Sequence, residues 1–352
     1  MSNVVIQLVT WNGKKYIPYL FESLRKQTYQ DVHLYVFDNG STDGTPDAIE
    51  KELMSVSFTH TLVKNEQNVG FVGGHNEVYN IERSPYVLLL NQDMYLMPDS
   101  IETMVKFLDT HEKVGSVSPR LMRWNFADIE YGLEASFTDM VDALGLRVFR
   151  NRRVVDKYAG YIWEEKKKKV GLSFRVQDTA VEVFGVSGAL PMYRRSALET
   201  VQFSDNTFFD GSYQSYKEDV DLAYRLRIAG FNSYVLLNSV AYHDRTATGF
   251  EFAGDRFSVQ NKKKQSEWVR FHSYKNHLAT IYKNEYWQNF ILDFPWIIWY
   301  ELKKLAYFTL FDRTVLTGFS VLWRNRSLYR KRRKEVRAMR KISWKELRQW
   351  LQ

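Results

Sequence analysis

Val4-Val-Ile-Gln-Leu-Val9, closed by Thr10-Trp-Asn-Gly13, is a short apolar run rich in β-branched residues with a polar, turn-forming end. So little polar alternation reads as a strand buried on both faces, as in a parallel sheet. Downstream, Tyr16 to Gln27 carries Ile17, Leu20, Phe21 and Leu24 on one helix face. A second strand, His33-Leu-Tyr-Val-Phe37, ends in Asp38-Asn-Gly-Ser-Thr-Asp-Gly44, a polar loop suited to cap a helix starting near Thr45-Pro46. Thr59 to Val63 and Tyr86-Val-Leu-Leu-Leu90 read as further strands, the latter running into Asn91-Gln-Asp93, and Ser100 to Asp109 reads as a helix. Strands alternating with helices predict an α/β fold with a mostly parallel, doubly wound sheet. Ligands of such sheets bind beyond the carboxyl ends of the strands, where Asp38 and Asp93 stand.

From Glu112 to Val181 the pattern weakens, and the Lys166–Lys169 run reads as a solvated loop. Pattern returns at Val181-Glu-Val-Phe-Gly-Val-Ser-Gly188. Glu218-Asp-Val-Asp-Leu-Ala-Tyr-Arg-Leu-Arg-Ile-Ala-Gly230 reads as a helix opened by acids and closed by glycine, matching the helix dipole at both ends. Ser233 to Leu237 is another strand, with His243 shortly after it.

The 352 residues are 45% hydrophobic and 26% charged, the balance of a globular chain. Cysteine is absent, which leaves no disulfide or thiolate metal site and fits a reducing cytoplasm. Met1-Ser-Asn-Val-Val-Ile has no basic region ahead of an apolar core, so no secretory leader is expected. The net charge of +8 is unevenly spread. Residues 271–352 hold 17 Lys or Arg against 6 Asp or Glu, whereas residues 1–270 hold 32 against 35. The expected division is therefore a near-neutral catalytic domain over 1–270 and a basic, aromatic helical region over 271–352. In the latter, Ile291, Phe294, Ile298, Leu302 and Leu305 form one helix stripe. Charged residues from Asp293 to Arg313 interrupt every window near the ~20 apolar residues a membrane span needs. Arg330-Lys-Arg-Arg-Lys334 follows, then an amphipathic end with Trp344, Leu347, Trp350 and Leu351. Aromatic faces beside basic ones suit helices lying in a membrane interface, which predicts peripheral contact with the inner face of the cell membrane. The competing reading packs the stripe on the catalytic domain or on a second subunit, leaving a homo-oligomer open. No nucleic-acid motif is present, and no nucleic-acid partner is expected.

Two carboxylates carry the chemical expectation. Asp93, just past a buried strand, can bind a hard divalent cation through oxygen, although a turn aspartate would look the same. Asp219 can take a proton from an acceptor hydroxyl, and the crowding of Glu218, Asp219 and Asp221 tends to raise a pKa toward neutrality. Alone, that cluster is equally the acidic first turn of a helix. Asn68-Val-Gly-Phe-Val-Gly-Gly-His-Asn76 is Gly-rich but matches neither a dinucleotide fingerprint nor a Walker loop. His243 can bind metal or diphosphate through a ring nitrogen, or be structural.

The order of these pieces adds what none carries alone. With Val9-Thr-Trp-Asn-Gly13, Phe37-Asp-Asn-Gly-Ser-Thr-Asp-Gly44, Asn65-Glu-Gln-Asn-Val-Gly-Phe-Val-Gly-Gly-His-Asn76, Leu90-Asn-Gln-Asp93, Gly185-Val-Ser-Gly-Ala189, Glu218-Asp-Val-Asp-Leu222 and Val240-Ala-Tyr-His243 in series, residues 3 to 250 resemble the family 2 glycosyltransferases. These are inverting enzymes of the GT-A fold, and the nearest likeness is to their rhamnosyltransferase-like branch. The resemblance implies a nucleoside-diphosphate sugar donor (dTDP- or UDP-linked, rhamnose-like favoured), a glycan or lipid-linked acceptor of surface polysaccharide synthesis, and Mg or Mn. It implies that Thr10, Asn12 and Asp38 contact the nucleotide, and that Asn68, Gly70, Asn91 and Gln92 line the donor site. It further implies Asp93 and His243 at the metal, Asp219 as the base, and Gly188 and Glu218 on the acceptor side. Asn91 replaces the first acid of a full DXD motif, and Gln92 stands where this branch often has proline. Three other readings remain beside it. One is a polyprenyl-phosphate sugar synthase. Another is a nucleotidyltransferase, which should place a basic Gly-rich loop after the first strand. The third is a non-catalytic sugar-nucleotide-binding module, which should lack Asp93 or Asp219.

Overall fold

The computed structural model describes residues 3–165, 179–245 and 265–352; the Lys166–Lys169 run lies outside them. The expected alternation appears as β1 (Val4–Thr10), α1 (Ile17–Arg25), β2 (Val32–Asp38), α2 (Thr45–Leu53), β3 (Thr59–Lys64), α3 (Gly70–Ile81), β4 (Tyr86–Asn91), β5 (Met94–Leu96) and α4 (Ser100–Thr110). The Gly-rich segment, read as a ligand-approaching stretch, opens α3. The weakly patterned region holds β6 (Val114–Trp124), β7 (Phe137–Ala143), β8 (Leu146–Val148) and β9 (Val154–Asp156). Gly115, Ser116, Ser118 and Pro119 break the apolar run of β6, which is nevertheless buried. Its polar groups find partners inside the sheet, Ser116 Oγ donating to Ser233 Oγ at 2.8 Å. Then follow β10 (Ala180–Val183), β11 (Met192–Arg194), α5 (Arg195–Val201), α6 (Glu218–Ile228) and β12 (Asn232–His243).

The main sheet runs β10-β12-β6-β11-β4-β1-β2-β3, with β5 paired to β12 and β7 to β6. It is parallel throughout β4-β1-β2-β3. The other half is mixed, because β11 runs antiparallel to both β4 and β6. Register sets Thr10 beside Asp38 and Val9 beside Asn91, so these residues share one sheet edge. Alternation along β1 separates two cores. Ile6 and Leu8 face α1, α2 and α4, while Val5 faces α3, α5 and α6.

The C-terminal region is helical: α7 (Glu267–Asn284), α8 (Trp287–Phe311), α9 (Thr317–Arg324), α10 (Arg326–Ala338) and α11 (Trp344–Arg348). Its two apolar stripes behave oppositely. The amphipathic end packs inward, with Leu347 and Leu351 buried against Phe184, Val220 and Tyr224. For this end, expected in a membrane interface, the packing reading holds. The peptide of Leu351 and Gln352 extends the β8 edge, Gln352 N donating to Val148 O at 3.0 Å. Helix α8 is inverted. Its buried side carries Asn289 and Asp293, whereas Trp287, Ile291, Trp299 and Leu302 are 62%, 61%, 64% and 52% exposed. Asp293 accepts from Arg150, Arg152 and Arg348 at 2.8, 3.0 and 3.1 Å. Ile297 and Phe308 are buried as well, so the inner side is mixed, but an outer face this apolar is the reverse of a helix docked on a water-facing domain. Among the described residues, no helix is long and apolar enough to cross a membrane.

Candidate active site

The sheet edge at the ends of β1 and β2 is a set of loops closed on one another. Asp38, at the end of β2, accepts from Thr10 Oγ1 (3.0 Å), Ser41 N (3.0 Å) and Ser41 Oγ (2.6 Å). Asn12 adopts a left-handed φ of 49°, and its Oδ1 accepts from Thr42 N at 2.8 Å. The loop after β1 is thus strapped to the loop after β2. Gln92, expected among the donor-binding residues, spends both ends of its amide on the Trp11 backbone. It accepts from Trp11 N at 2.9 Å and donates to Trp11 O at 3.0 Å. A Cβ on Gly13 would come within 2.2 Å of Gln92 Oε1, so any side chain there would push the Gln92 amide off the Trp11 backbone. Gln92 therefore braces the loop of Thr10 and Asn12, as a proline at that position could not by donating a hydrogen bond.

Asn68 Oδ1 accepts from Gly70 N at 2.8 Å, and Asn39 holds Val69 N and Gly70 O at 2.8 and 3.2 Å. Gly70 has φ +81° and lies where a Cβ would be 2.9 Å from the Gln214 carbonyl. Only glycine brings the start of α3 that close to the segment leading into α6.

Asp93 occupies the turn between β4 and β5, and β5 pairs with the end of β12. That pairing places His243 Nε2 3.4 Å from Asp93 Oδ1. On the other side of the ring, His243 Nδ1 lies 2.9 Å from Asp142 Oδ2. Burial alone would lower the His243 pKa, but the charges of Asp93 and Asp142 outweigh it and raise it to about 9. Asp142 is itself held below the usual carboxylate range despite burial, by Arg245 and His243. Among the described residues no cluster of three or more His, Asp or Glu could enclose a metal ion. The pair still suits one: a carboxylate oxygen and an imidazole nitrogen converge, and Asp142 orients the ring from behind.

Asp219 stands in the first turn of α6. Its Oδ2 accepts from Gly188 N at 3.3 Å and its Oδ1 from Val220 N at 2.7 Å. Burial raises its pKa, with Lys217 opposing. Burial and the Asp219 charge likewise raise Glu218. Asp221, the third acid, is structural: fully buried, it pairs with Arg225 and Lys283 at 3.0 Å each.

Sequence reasoning missed the connecting residues. Arg245 Nε lies 3.4 Å from Asp142 Oδ2, its Nη1 pairs with Asp156, and its Nη2 lies 3.4 Å from Ser187 Oγ. Ser187 precedes Gly188, so one polar chain links Asp93, His243, Asp142 and Arg245 to the residues around Asp219. The adjacency of Arg245 to His243 was the signal available; Asp142 lay in the weakly patterned stretch. A cavity of about 440 Å³ lined by Arg120, Phe137, Trp163 and Tyr242 holds none of these groups. Tyr242 and His243 are successive strand residues and point to opposite faces.

Residues 5–202 match the family described as glycosyl transferase family 2. The chain belongs to that family. This glycosyltransferase is 27% identical over 263 residues to an N-acetylglucosaminyl-diphospho-decaprenol L-rhamnosyltransferase of Mycobacterium tuberculosis, covering 71% of this chain and 79% of that one. A shorter stretch of 114 residues is 32% identical to the Escherichia coli enzyme named UDP-Glc:alpha-D-GlcNAc-diphosphoundecaprenol beta-1,3-glucosyltransferase WfaP, covering 32% of this chain and 44% of that one. Among solved structures, S. aureus TarS 1–349 in complex with UDP-GlcNAc aligns with a TM-score of 0.52 at 18% identity, over 99% of this chain and 78% of that one. The mannosyltransferase PcManGT of Pyrobaculum calidifontis, in complex with GDP-Man and Mn2+, aligns at 0.52 and 15% identity, over 96% and 85%. The family 2 glycosyltransferase therefore has the GT-A fold, followed by C-terminal helices.

Proposed function

We propose that this glycosyltransferase moves a rhamnose-like sugar from a dTDP- or UDP-linked donor to a hydroxyl of a lipid-linked glycan, with inversion, during surface polysaccharide synthesis. The observation that carries the reading is the polar chain running from Asp93 and His243 to the surroundings of Asp219. It joins a carboxylate–imidazole pair suited to a cation to the neighbourhood of a half-buried carboxylate, Asp219. The two first-mentioned relatives are both named for acceptors that are diphospho-polyprenols bearing a GlcNAc unit, which supports an acceptor of that class.

In this reading the loops of Thr10, Asn12 and Asp38 hold the nucleotide, and Asn68, Gly70 and Asn91 border the donor. Asp93 Oδ1 and His243 Nε2 would hold Mg or Mn, which would supply neutralisation of charge on the diphosphate leaving group. Asp219 accepts the proton of the acceptor hydroxyl. The oxygen then bonds to the anomeric carbon from the face opposite the diphosphate, and the C–O bond to the diphosphate breaks with its electron pair leaving on the nucleotide. Gly188 N–H keeps the Asp219 carboxylate oriented, and Glu218 borders the acceptor. The outward apolar face of α8, helped by the basic residues of α10, rests on the inner face of the cell membrane where such an acceptor resides.

The test is a transfer assay with a panel of dTDP and UDP sugars and Mn2+. Asp219→Asn should retain donor binding and lose roughly 10²–10⁴-fold in kcat. Asp93→Ala should abolish the Mn2+-dependent part of donor affinity. Turnover by Asp219→Asn within a few-fold of wild type would remove it as base.

A further inference from the structure

Asp210 to Lys217 is an irregular segment that ends at the first turn of α6, where Glu218 and Asp219 stand. Gln214, Tyr216 and Lys217 all have positive φ, at 61°, 68° and 70°. Three side-chain-bearing residues persist in that region only when surrounding structure holds them there. The holder is one face of α7, from the C-terminal region. Asn276 is completely buried, and its Nδ2 meets three carbonyls of the segment, those of Tyr213 (3.1 Å), Ser215 (2.9 Å) and Tyr216 (2.7 Å). On the same face, Lys275 Nζ donates to Ser212 O at 2.7 Å, and the Thr280 hydroxyl meets Tyr213 OH at 2.8 Å. Lys283 pairs with Asp210 at the start of the segment and with Asp221 just beyond its end. On its outer side the segment's Gln214 carbonyl accepts from Val72 N at 3.0 Å, at the start of α3.

We propose that Asn276 is a positioning residue for transfer, holding the backbone of residues 213–216 so that the base on α6 meets the acceptor hydroxyl. The C-terminal helices are thus part of the reaction machinery as well as of the molecule's outer surface. The inference rests on the reading of Asp219 as base. It goes beyond it, because Asn276 touches neither Asp219 nor any donor-side residue and acts through main-chain carbonyls. The carbonyls of residues 213, 215 and 216 converge on one amide nitrogen, more acceptors than its two N–H groups need. Small displacements of a reacting group cost on the order of 10²-fold in rate, so the segment's placement is kinetically exposed.

The experiment compares Asn276→Ala, Lys275→Met and Asp219→Asn as full-length proteins in the same transfer assay, with Mn2+-dependent UDP and dTDP binding and thermal melting measured alongside. The expected result is a fall in kcat of roughly 10- to 100-fold for Asn276→Ala, with nucleotide affinity little changed and the melting temperature lowered only as far as the loss of buried hydrogen bonds requires, the protein staying folded at the assay temperature. Lys275→Met, which keeps the aliphatic stem and loses one hydrogen bond, should shift kcat in the same direction by less. A kcat for Asn276→Ala within twofold of wild type overturns the proposal, as does a parallel loss of nucleotide binding, which would mark a general structural role. Should Asn276→Ala fail to fold, an unchanged kcat in Lys275→Met overturns it instead. Substantial turnover by Asp219→Asn would defeat the base assignment separately from either Asn276 outcome.

Discussion

His243 lies between two carboxylates, and each acts on a different ring nitrogen. Asp142 faces Nδ1 and Asp93 faces Nε2, which together keep the ring protonated up to about pH 9 despite burial. Coordination requires the neutral nitrogen, so a cation binding at Nε2 must displace a proton at any pH below about 9. Apparent Mn2+ affinity should therefore rise with pH, by up to roughly tenfold per unit, and level off as His243 loses its proton unaided. Titration calorimetry between about pH 6.5 and 8.5, in buffers of different ionisation heat, measures both the slope and the proton released; a flat profile would take His243 out of the metal site. Asp142→Asn removes the carboxylate behind the ring and should weaken Mn2+ binding by roughly 10–100-fold while leaving nucleotide binding without metal intact.

At the scale of elements, α8 shows how a helix with a polar inner side is held. Asp293 is wholly buried and faces Arg152, itself 1% exposed, with Arg150 and Arg348 adding to it. Arg152 in turn pairs with Glu285, just ahead of α8. This cluster ties α8, α11 and the β8–β9 connection together where apolar packing would ordinarily do so. Removing one partner leaves buried charge uncompensated, so Asp293→Ala should cost about 3–5 kcal/mol of stability, read from urea unfolding. A loss below about 1 kcal/mol would show that water reaches the guanidinium groups once the carboxylate is gone.

At the scale of the molecule, Leu310 and Phe311 at the end of α8 and Phe319 and Trp323 on α9 are exposed like the outer face of α8, and the basic helix α10 follows α9 in the chain. Replacing Trp287, Ile291, Trp299 and Leu302 together by serine should abolish sedimentation with vesicles containing anionic lipid, and leave transfer to a short water-soluble acceptor unchanged. Wild-type binding should weaken as salt rises, because headgroup attraction is screened over about 8–10 Å near physiological ionic strength. If the same variant keeps its vesicle binding and instead changes mass in light scattering, the face belongs to a second copy of the chain.

Apolar runs ending in polar turns were enough to place β1, β2 and β4 and to set Asp38 and Asp93 at their ends, because a strand buried on both faces leaves a continuous signature. The acidic opening marked the start of α6 for a similar reason, a helix start having its own local chemistry, whereas the choice of Asp219 among its three acids came from the family resemblance. Asp142 and Arg245 left no such trace. They matter through β5, β12, β6 and β7 pairing in that order, and strand pairing between distant segments is not written in either segment alone. The two C-terminal stripes make the same point more sharply. Ile291 to Leu305 and Trp344 to Leu351 have equivalent periodicity, which records that a helix has an apolar side and not where that side points. Which stripe meets the protein and which faces out was decided only when the buried Asp293 found three arginines, and Leu347 found Phe184 and Tyr224.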